Sequence, residues 1–142
     1  MRSPPAGRAQ EKVEVVRRVY DAWNAGDVNA LRDLCDPDVV VHYPEGWPEP
    51  GPSVGREAAV RQWEHVRDAW TGDALEPVTD FVDDGDRVVV RDAWRGTGLG
   101  PDTDLEFSRV FTLRERKLIG LESFWDHADA LEAGGTPVAP LR

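Results

Sequence analysis

The spacing of apolar residues changes along the chain from a helical to a strand pattern, and this change constrains the fold more than any other feature. Val13, Val16, Tyr20 and Trp23 recur three or four positions apart, which is typical of one face of an α-helix. From about residue 75 onwards, runs rich in β-branched and aromatic residues alternate with short turns, which is typical of strands. Helices followed by strands that are joined by hairpins predict an α+β fold with an antiparallel sheet.

The predicted order of elements is α-α-β-α-β-β-β-β-α. Helices are predicted over residues 11–25, 27–34, 55–70 and 126–133, and strands over residues 39–43, 75–82, 87–96, 105–113 and 118–125. One domain is expected over residues 11–134, with a flexible segment at residues 1–10 and an irregular tail at residues 135–142. Four prolines between Pro44 and Pro52 predict a stiff loop, which carries Trp47.

The chain is strongly acidic, and this limits its expected partners. Its 142 residues include 17 Lys and Arg against 27 Asp and Glu, which gives a formal net charge of −10. A nucleic acid or an anionic membrane surface needs a basic patch, so neither is an expected partner. The acidic residues concentrate between residues 73 and 106, which indicates solvated strand edges and turns or, less simply, a site for a cation or a basic partner.

Cysteine and histidine usage indicates neither a disulfide nor a metal centre. Cys35 is the only cysteine, which excludes an internal disulfide and favours the reducing cytoplasm as the compartment. The histidines are scattered without the spacing of metal ligands, so we expect no metal and no cofactor. No run of 18 or more apolar residues is present, which excludes a membrane-spanning helix.

Three segments resemble the nuclear transport factor 2-like superfamily in its SnoaL-like branch. They are residues 15–27 (VVRRVYDAWNAGD), residues 55–59 (GREAA) and residues 120–126 (GLESFWD). The resemblance covers about residues 11–134 and implies a cone-shaped fold, in which a curved sheet wraps around the long N-terminal helices. The superfamily includes ketosteroid isomerases, polyketide cyclases, epoxide hydrolases and non-catalytic binders, so the resemblance does not fix an activity.

The resemblance also implies an apolar pocket between the helices and the concave face of the sheet. Matching the family pattern to the strands places Val40, His42, Asp92 and Arg109 on the inner face. The implied catalytic candidates are Asp92, Arg109 and His42. The implied pocket residues are Tyr20, Trp23, Trp47, Trp63, Trp94, Phe107, Phe111, Ser123 and Trp125.

Each polar candidate has a structural interpretation beside the catalytic one. Asp92 and Arg109 are expected to be either a buried ion pair without a chemical role, or a proton-transfer group with an oxyanion-stabilising partner. His42 is either a hydrogen-bonded wall residue or a second proton carrier. The Asp–Arg–Asp arrangement of epoxide hydrolases is absent, because Trp94 and Ser123 stand where its carboxylates are expected.

Three classes of function follow from this reasoning. The first is a cofactor-independent acid–base enzyme, of the isomerase, cyclase, dehydratase or hydrolase type, that acts on a small and partly hydrophobic substrate. The second is a non-catalytic domain that binds a small molecule, and the third is a dimeric accessory module whose pocket is simply core. A homodimer is expected because Val110 and Phe124 would otherwise form an exposed apolar patch on the convex face of the sheet.

Overall fold

The computed structural model describes residues 5–47, 51–79, 81–98 and 103–134. Within these ranges it holds the helices α1 (Pro5–Ala25), α2 (Val28–Leu34), α3 (Arg56–Asp68) and α4 (His127–Ala133). The strands are β1 (Cys35–His42), β2 (Ser53–Val54), β3 (Trp70–Pro77), β4 (Val82–Asp84), β5 (Arg87–Gly98), β6 (Thr103–Arg114) and β7 (Lys117–Phe124). The α+β class is confirmed. The strand predicted over residues 75–82 is divided between β3 and β4, and the short β2 is additional.

Short polar side chains begin two of the helices, α2 and α4. Gly26 ends α1 with a φ of +72°, and the Asp27 carboxylate then accepts the backbone N–H of Ala30 at 3.0 Å. Asp126 accepts the backbone N–H of Ala128 at 2.8 Å in the same way at the start of α4.

The first helix starts earlier than predicted, because α1 begins at Pro5 rather than at residue 11. A proline is well suited to the first turn of a helix, since its missing N–H would have no partner there. The helix therefore extends over residues 5–10, which lie in the segment that the sequence pattern assigns to a flexible N-terminus. Residues 1–4 and the tail predicted over residues 135–142 lie outside the described residues.

The described strands form one seven-stranded sheet whose order is β2-β1-β7-β6-β5-β3, with β4 paired to β5. The prediction of a purely antiparallel sheet is wrong at one place, because β1 runs parallel to β7. Five strands and α3 lie between β1 and β7 in the chain, and this long connection lets β7 return beside β1 in a parallel direction. The other pairs are antiparallel.

The inner face of the curved sheet and the long helices share one apolar core, which gives the cone-shaped fold. Val16 and Tyr20 of α1, Ala59 of α3 and Phe111 of β6 belong to this core, and none of them is more than 4% exposed. The strand alternation on β5 and β6 thus directs one set of side chains against α1. No helix among the described residues is long and apolar enough to cross a membrane.

The outer face of the sheet is covered by α4 of the same chain. Val89 and Val110 are buried together with Ala130 of α4, and Phe124 and Leu131 pack against them. The expectation that Val110 and Phe124 form an exposed apolar patch is therefore wrong. The sequence pattern of the strands gave no information on where a seven-residue helix would pack.

We predict that Gly134, at the end of α4, is required for this packing. A Cβ atom at residue 134 would lie 2.4 Å from Cγ2 of Val89, although the backbone there suits any residue. Gly134→Ala should therefore destabilise the fold by about 1–3 kcal/mol, as overpacking commonly does. Urea unfolding measures this, and the cost should be clearly smaller in a Val89→Ala background. An equal cost in both backgrounds would contradict the packing argument.

Candidate functional site

Asp92 is the buried centre of a polar cluster inside the cone. It lies on β5 and is 0% exposed. One carboxylate oxygen accepts the hydroxyl proton of Tyr20 from α1, and the other accepts the Nε–H of Arg109 from β6 at 2.5 Å. Side chains from α1, β5 and β6 therefore meet at one carboxylate. The sequence pattern places Asp92 and Arg109 on the inner face of the sheet and Tyr20 among the pocket residues, and the structure brings the three side chains together.

Arg109 is surrounded by aromatic rings. Its Cζ atom lies 4.8 Å from the ring centre of Phe111, 5.3 Å from that of Tyr20 and 5.7 Å from that of Phe107. These distances fit cation–π contacts. The Nη2 atom of Arg109 is buried and has no hydrogen-bond partner among the described residues. A buried donor without a partner is costly to folding, so a ligand oxygen that accepts this N–H would be well placed.

The electrostatics of the cluster follow from its burial. Burial raises the pKa of Asp92, and the charge of Arg109 and the hydroxyl of Tyr20 oppose that rise without cancelling it. Burial also raises the pKa of Tyr20, so its hydroxyl stays protonated and acts as a donor. Burial alone would lower the pKa of the Arg109 guanidinium. The charge of Asp92 and the contact with Tyr20 have a larger opposite effect, so this pKa is raised.

His42 does not join this cluster. Val39 and Val41 are buried in the core, whereas Val40 is only partly buried and His42 is exposed. The prediction that Val40 and His42 face inward is therefore wrong. The pairing of β1 with β7 shifts register between Cys35 and Val40, and such an irregularity changes which residues of a strand face the core.

An aromatic rim leads from the loop after β1 toward Arg109. The Trp47 ring stacks near Tyr43 at 6.3 Å between ring centres and lies 6.5 Å from the Trp125 ring. Trp125 in turn meets Phe107 edge-on at 6.5 Å and donates its indole N–H to the carbonyl oxygen of Glu45 at 2.7 Å. We call Tyr43, Trp47, Phe107 and Trp125 the aromatic rim. Through Phe107, the rim reaches the guanidinium of Arg109.

Two of the predicted pocket tryptophans are fixed elsewhere. The indole N–H groups of Trp23 and Trp94 both point to one oxygen of Asp73, at 2.5 and 2.7 Å. Arg67 lies 3.6 Å from the other oxygen of Asp73 and stacks over the Trp23 ring at 4.8 Å. Neither Asp73 nor Arg67 is among the residues predicted from the sequence. The only signal was that Asp73 lies in the acidic segment, and no spacing rule marks it as an acceptor for two indoles.

The remaining pocket candidates have simpler surroundings. Trp63 packs against the core from α3. Ser123 is the cross-strand partner of Arg109 on β7, which places it beside the cluster.

A cavity of about 320 Å³ is lined by His42, Tyr43, Pro44, Gly46, Trp47, Gly51 and Pro52, and one of about 430 Å³ lies between α1 and α2. Neither of these cavities is lined by Asp92 or Arg109.

A curved sheet around long helices, with a polar cluster in its interior, is the fold of the nuclear transport factor 2-like proteins. The chain belongs to the SnoaL-like domain family, whose model matches residues 16–120. No curated protein matches the sequence significantly.

Solved structures agree with this assignment. An NTF2-like protein of unknown function from Burkholderia pseudomallei matches with a TM-score of 0.73 and 24% identity, over 86% of this chain and 95% of that chain. TerC, co-crystallised with polyporic acid, matches with a TM-score of 0.72 and 26% identity, over 89% of this chain and 99% of that chain. An LEH-like epoxide hydrolase from M. tuberculosis shares the fold at 13% identity, with a TM-score of 0.71 over 88% of this chain and 90% of that chain.

We predict that Asp73 stabilises the fold, whereas the indole N–H of Trp125 contributes little. Asp73→Ala leaves two indole N–H groups without their acceptor, and each such loss costs about 1–3 kcal/mol. Trp125 is 41% exposed, so Trp125→Phe should change the free energy of unfolding by less than about 1 kcal/mol. Urea unfolding compares the two variants. A larger loss in Trp125→Phe than in Asp73→Ala would reverse the assignment.

Proposed function

We propose that the chain binds a small, partly apolar molecule beside Arg109 and moves a proton on it without a cofactor. The observation that carries the proposal is the buried Nη2 of Arg109, which has no partner among the described residues and lies among three aromatic rings. A carbonyl oxygen of the ligand would accept this N–H and would lie against apolar ring faces. Negative charge that develops on this oxygen during a reaction would then be stabilised by the guanidinium.

Asp92 is the proposed proton carrier of the site. Its carboxylate touches Arg109 directly, so a ligand bound to Arg109 would lie close to it. Burial raises the pKa of Asp92, which makes the carboxylate a better proton acceptor than an exposed one. Tyr20 donates to the other oxygen and thereby orients the carboxylate. His42 has no part in this proposal, since it is exposed and lies on the other face of β1.

The aromatic rim is the proposed entrance. Trp125 is 41% exposed, and its contact with Phe107 joins the surface to the ring that covers Arg109. A small aromatic or aliphatic body would be held between these rings. A relative with the same fold, TerC, was crystallised with polyporic acid, which supports a small organic ligand as the substrate class. A related structure from Sinorhizobium meliloti, with 26% identity, is described as a polyketide cyclase and also supports this substrate class.

A second candidate function is ligand binding without chemistry. The observation in its favour is that both oxygens of Asp92 already accept hydrogen bonds and that the residue is 0% exposed. In that case, Asp92 would only hold Arg109 in place for a ligand. The two functions therefore differ in whether Asp92 affects turnover or only stability and binding.

We predict that Asp92→Asn abolishes most of the activity of the wild-type protein on enolisable carbonyl compounds. Removing a proton carrier lowers turnover by about 10²–10⁴. Breaking a buried ion pair also costs on the order of 3–5 kcal/mol of stability, so circular dichroism at the assay temperature must show that the variant is folded.

The matched control for this variant is Glu106→Gln. Glu106 of β6 pairs with Arg91 of β5 at 3.1 Å, so it belongs to an ion pair on the same two strands, but on the outer face. Turnover should be unchanged in this control. Wild-type protein that binds such compounds without converting them would support the binding function, and equal turnover in Asp92→Asn would exclude Asp92 as the proton carrier.

The homodimer and the cytoplasmic location stay predictions. The apolar patch that suggested a dimer is covered by α4, so a dimer would need another surface. Light scattering at micromolar concentration measures the mass directly. A mass near 15.8 kDa would mean that the protein is a monomer and would contradict the dimer prediction.

A further inference from the structure

The cluster inside the cone already balances its own charge. Asp92 is 0% exposed and Arg109 is 8% exposed, and the carboxylate contacts the Nε–H of the guanidinium at 2.5 Å. Tyr20 adds a hydroxyl whose pKa is raised by burial, so it brings no charge. Arg91 on the outer face also lowers the pKa of Asp92, but it contributes least of the causes, and it is itself bonded to Glu106, Ser108 and the carbonyl oxygen of Trp125.

We propose that this site selects a neutral carbonyl compound and rejects a carboxylate of the same size. The inference rests on the proposed function, because it takes the Nη2 of Arg109 as the ligand-binding group. It goes further by naming the class of oxygen that the site accepts. The residue that sets this preference is Asp92, through its charge rather than through contact with the body of the ligand.

A ligand carboxylate would meet two obstacles at Arg109. Arginine binds carboxylates best through two parallel N–H bonds. Asp92 already takes the Nε–H, so a ligand carboxylate is left with the Nη1–Nη2 edge alone. The ligand would also bring a second negative charge beside the buried carboxylate of Asp92, in a region with little water to screen the repulsion.

A neutral carbonyl oxygen meets neither obstacle. It needs one donor, and Nη2 is a buried donor that lacks a partner among the described residues. The rings of Tyr20, Phe107 and Phe111 around the guanidinium suit the apolar body of such a compound. The ring faces provide no hydrogen-bond donor for the second oxygen of a carboxylate. That oxygen would lose its bonds to water and gain none from the protein.

The test compares probes that share one aromatic body. Isothermal titration calorimetry measures the binding of 2-acetylnaphthalene, methyl 2-naphthoate and 2-naphthoate to the full chain. The ketone and the ester are neutral, and the third probe carries the carboxylate. We expect the wild-type protein to bind both neutral probes at least tenfold more tightly than 2-naphthoate.

The variant Asp92→Asn should remove this preference. It keeps the shape of the side chain but removes its charge, so Arg109 is left without a counter-charge and 2-naphthoate should bind at least tenfold more tightly than it does to the wild type. The control Glu106→Gln removes one carboxylate from the ion pair on the outer face of the same strands. It should leave the order of the three affinities unchanged.

The outcomes separate this inference from the proposed function. Wild-type protein that binds 2-naphthoate as tightly as the neutral probes would overturn the inference and leave the ligand site intact. An unchanged preference in folded Asp92→Asn would also overturn it. If no probe binds the wild type, the ligand site of the proposed function fails and the inference fails with it. Binding of neutral probes without turnover of any carbonyl compound would support the inference and contradict only the catalytic part of the proposed function.

Discussion

The contact between Asp92 and Arg109 is the constraint on which the interior of this fold depends. Two charges are removed from water there, and such a pair is tolerated only when its geometry and its remaining hydrogen bonds are good. Tyr20 supplies one of those bonds, so α1 must lie where its hydroxyl reaches β5. A slip of one residue along β5 would bring Arg91 inside and move Asp92 to the outer face. The pair therefore fixes the register of two strands and the position of one helix together.

The same two strands carry a second ion pair, and the comparison shows what burial changes. Arg91 and Glu106 lie on the outer face, where Glu106 is exposed and Arg91 also bonds to Ser108 and to the carbonyl oxygen of Trp125. Water screens that pair, so its contribution to stability is small. Chemically similar residues thus act as a surface contact on one side of the sheet and as a candidate site on the other.

Features that depend on neighbouring residues can be predicted from the sequence. Features that depend on contacts between distant segments cannot. Asp27 and Asp126 are recognisable as helix caps because the capping bond spans only two or three residues. Asp92 and Arg109 are placed on one face because β5 and β6 alternate regularly. His42 is misplaced because β1 is irregular and pairs in parallel with the last strand. Trp23 and Trp94 share Asp73 only once α1, β3 and β5 are packed, so no pattern in the sequence reveals that contact.

The balanced charge of the interior also bears on the chemistry that such a site could perform. In the proposed reaction, a proton moves from the ligand to Asp92 while negative charge moves onto the ligand oxygen at Arg109. The guanidinium then exchanges one negative partner for another, and the total charge of the buried cluster stays the same. A neutral ligand makes this possible, because the Asp92–Arg109 cluster and the ligand together carry one negative partner of the guanidinium before and after the transfer. A ligand that entered as an anion would add a second negative charge, which the buried position of Asp92 makes costly. The neutrality that lets the pair exist inside the core is therefore the same property that would let it transfer a proton.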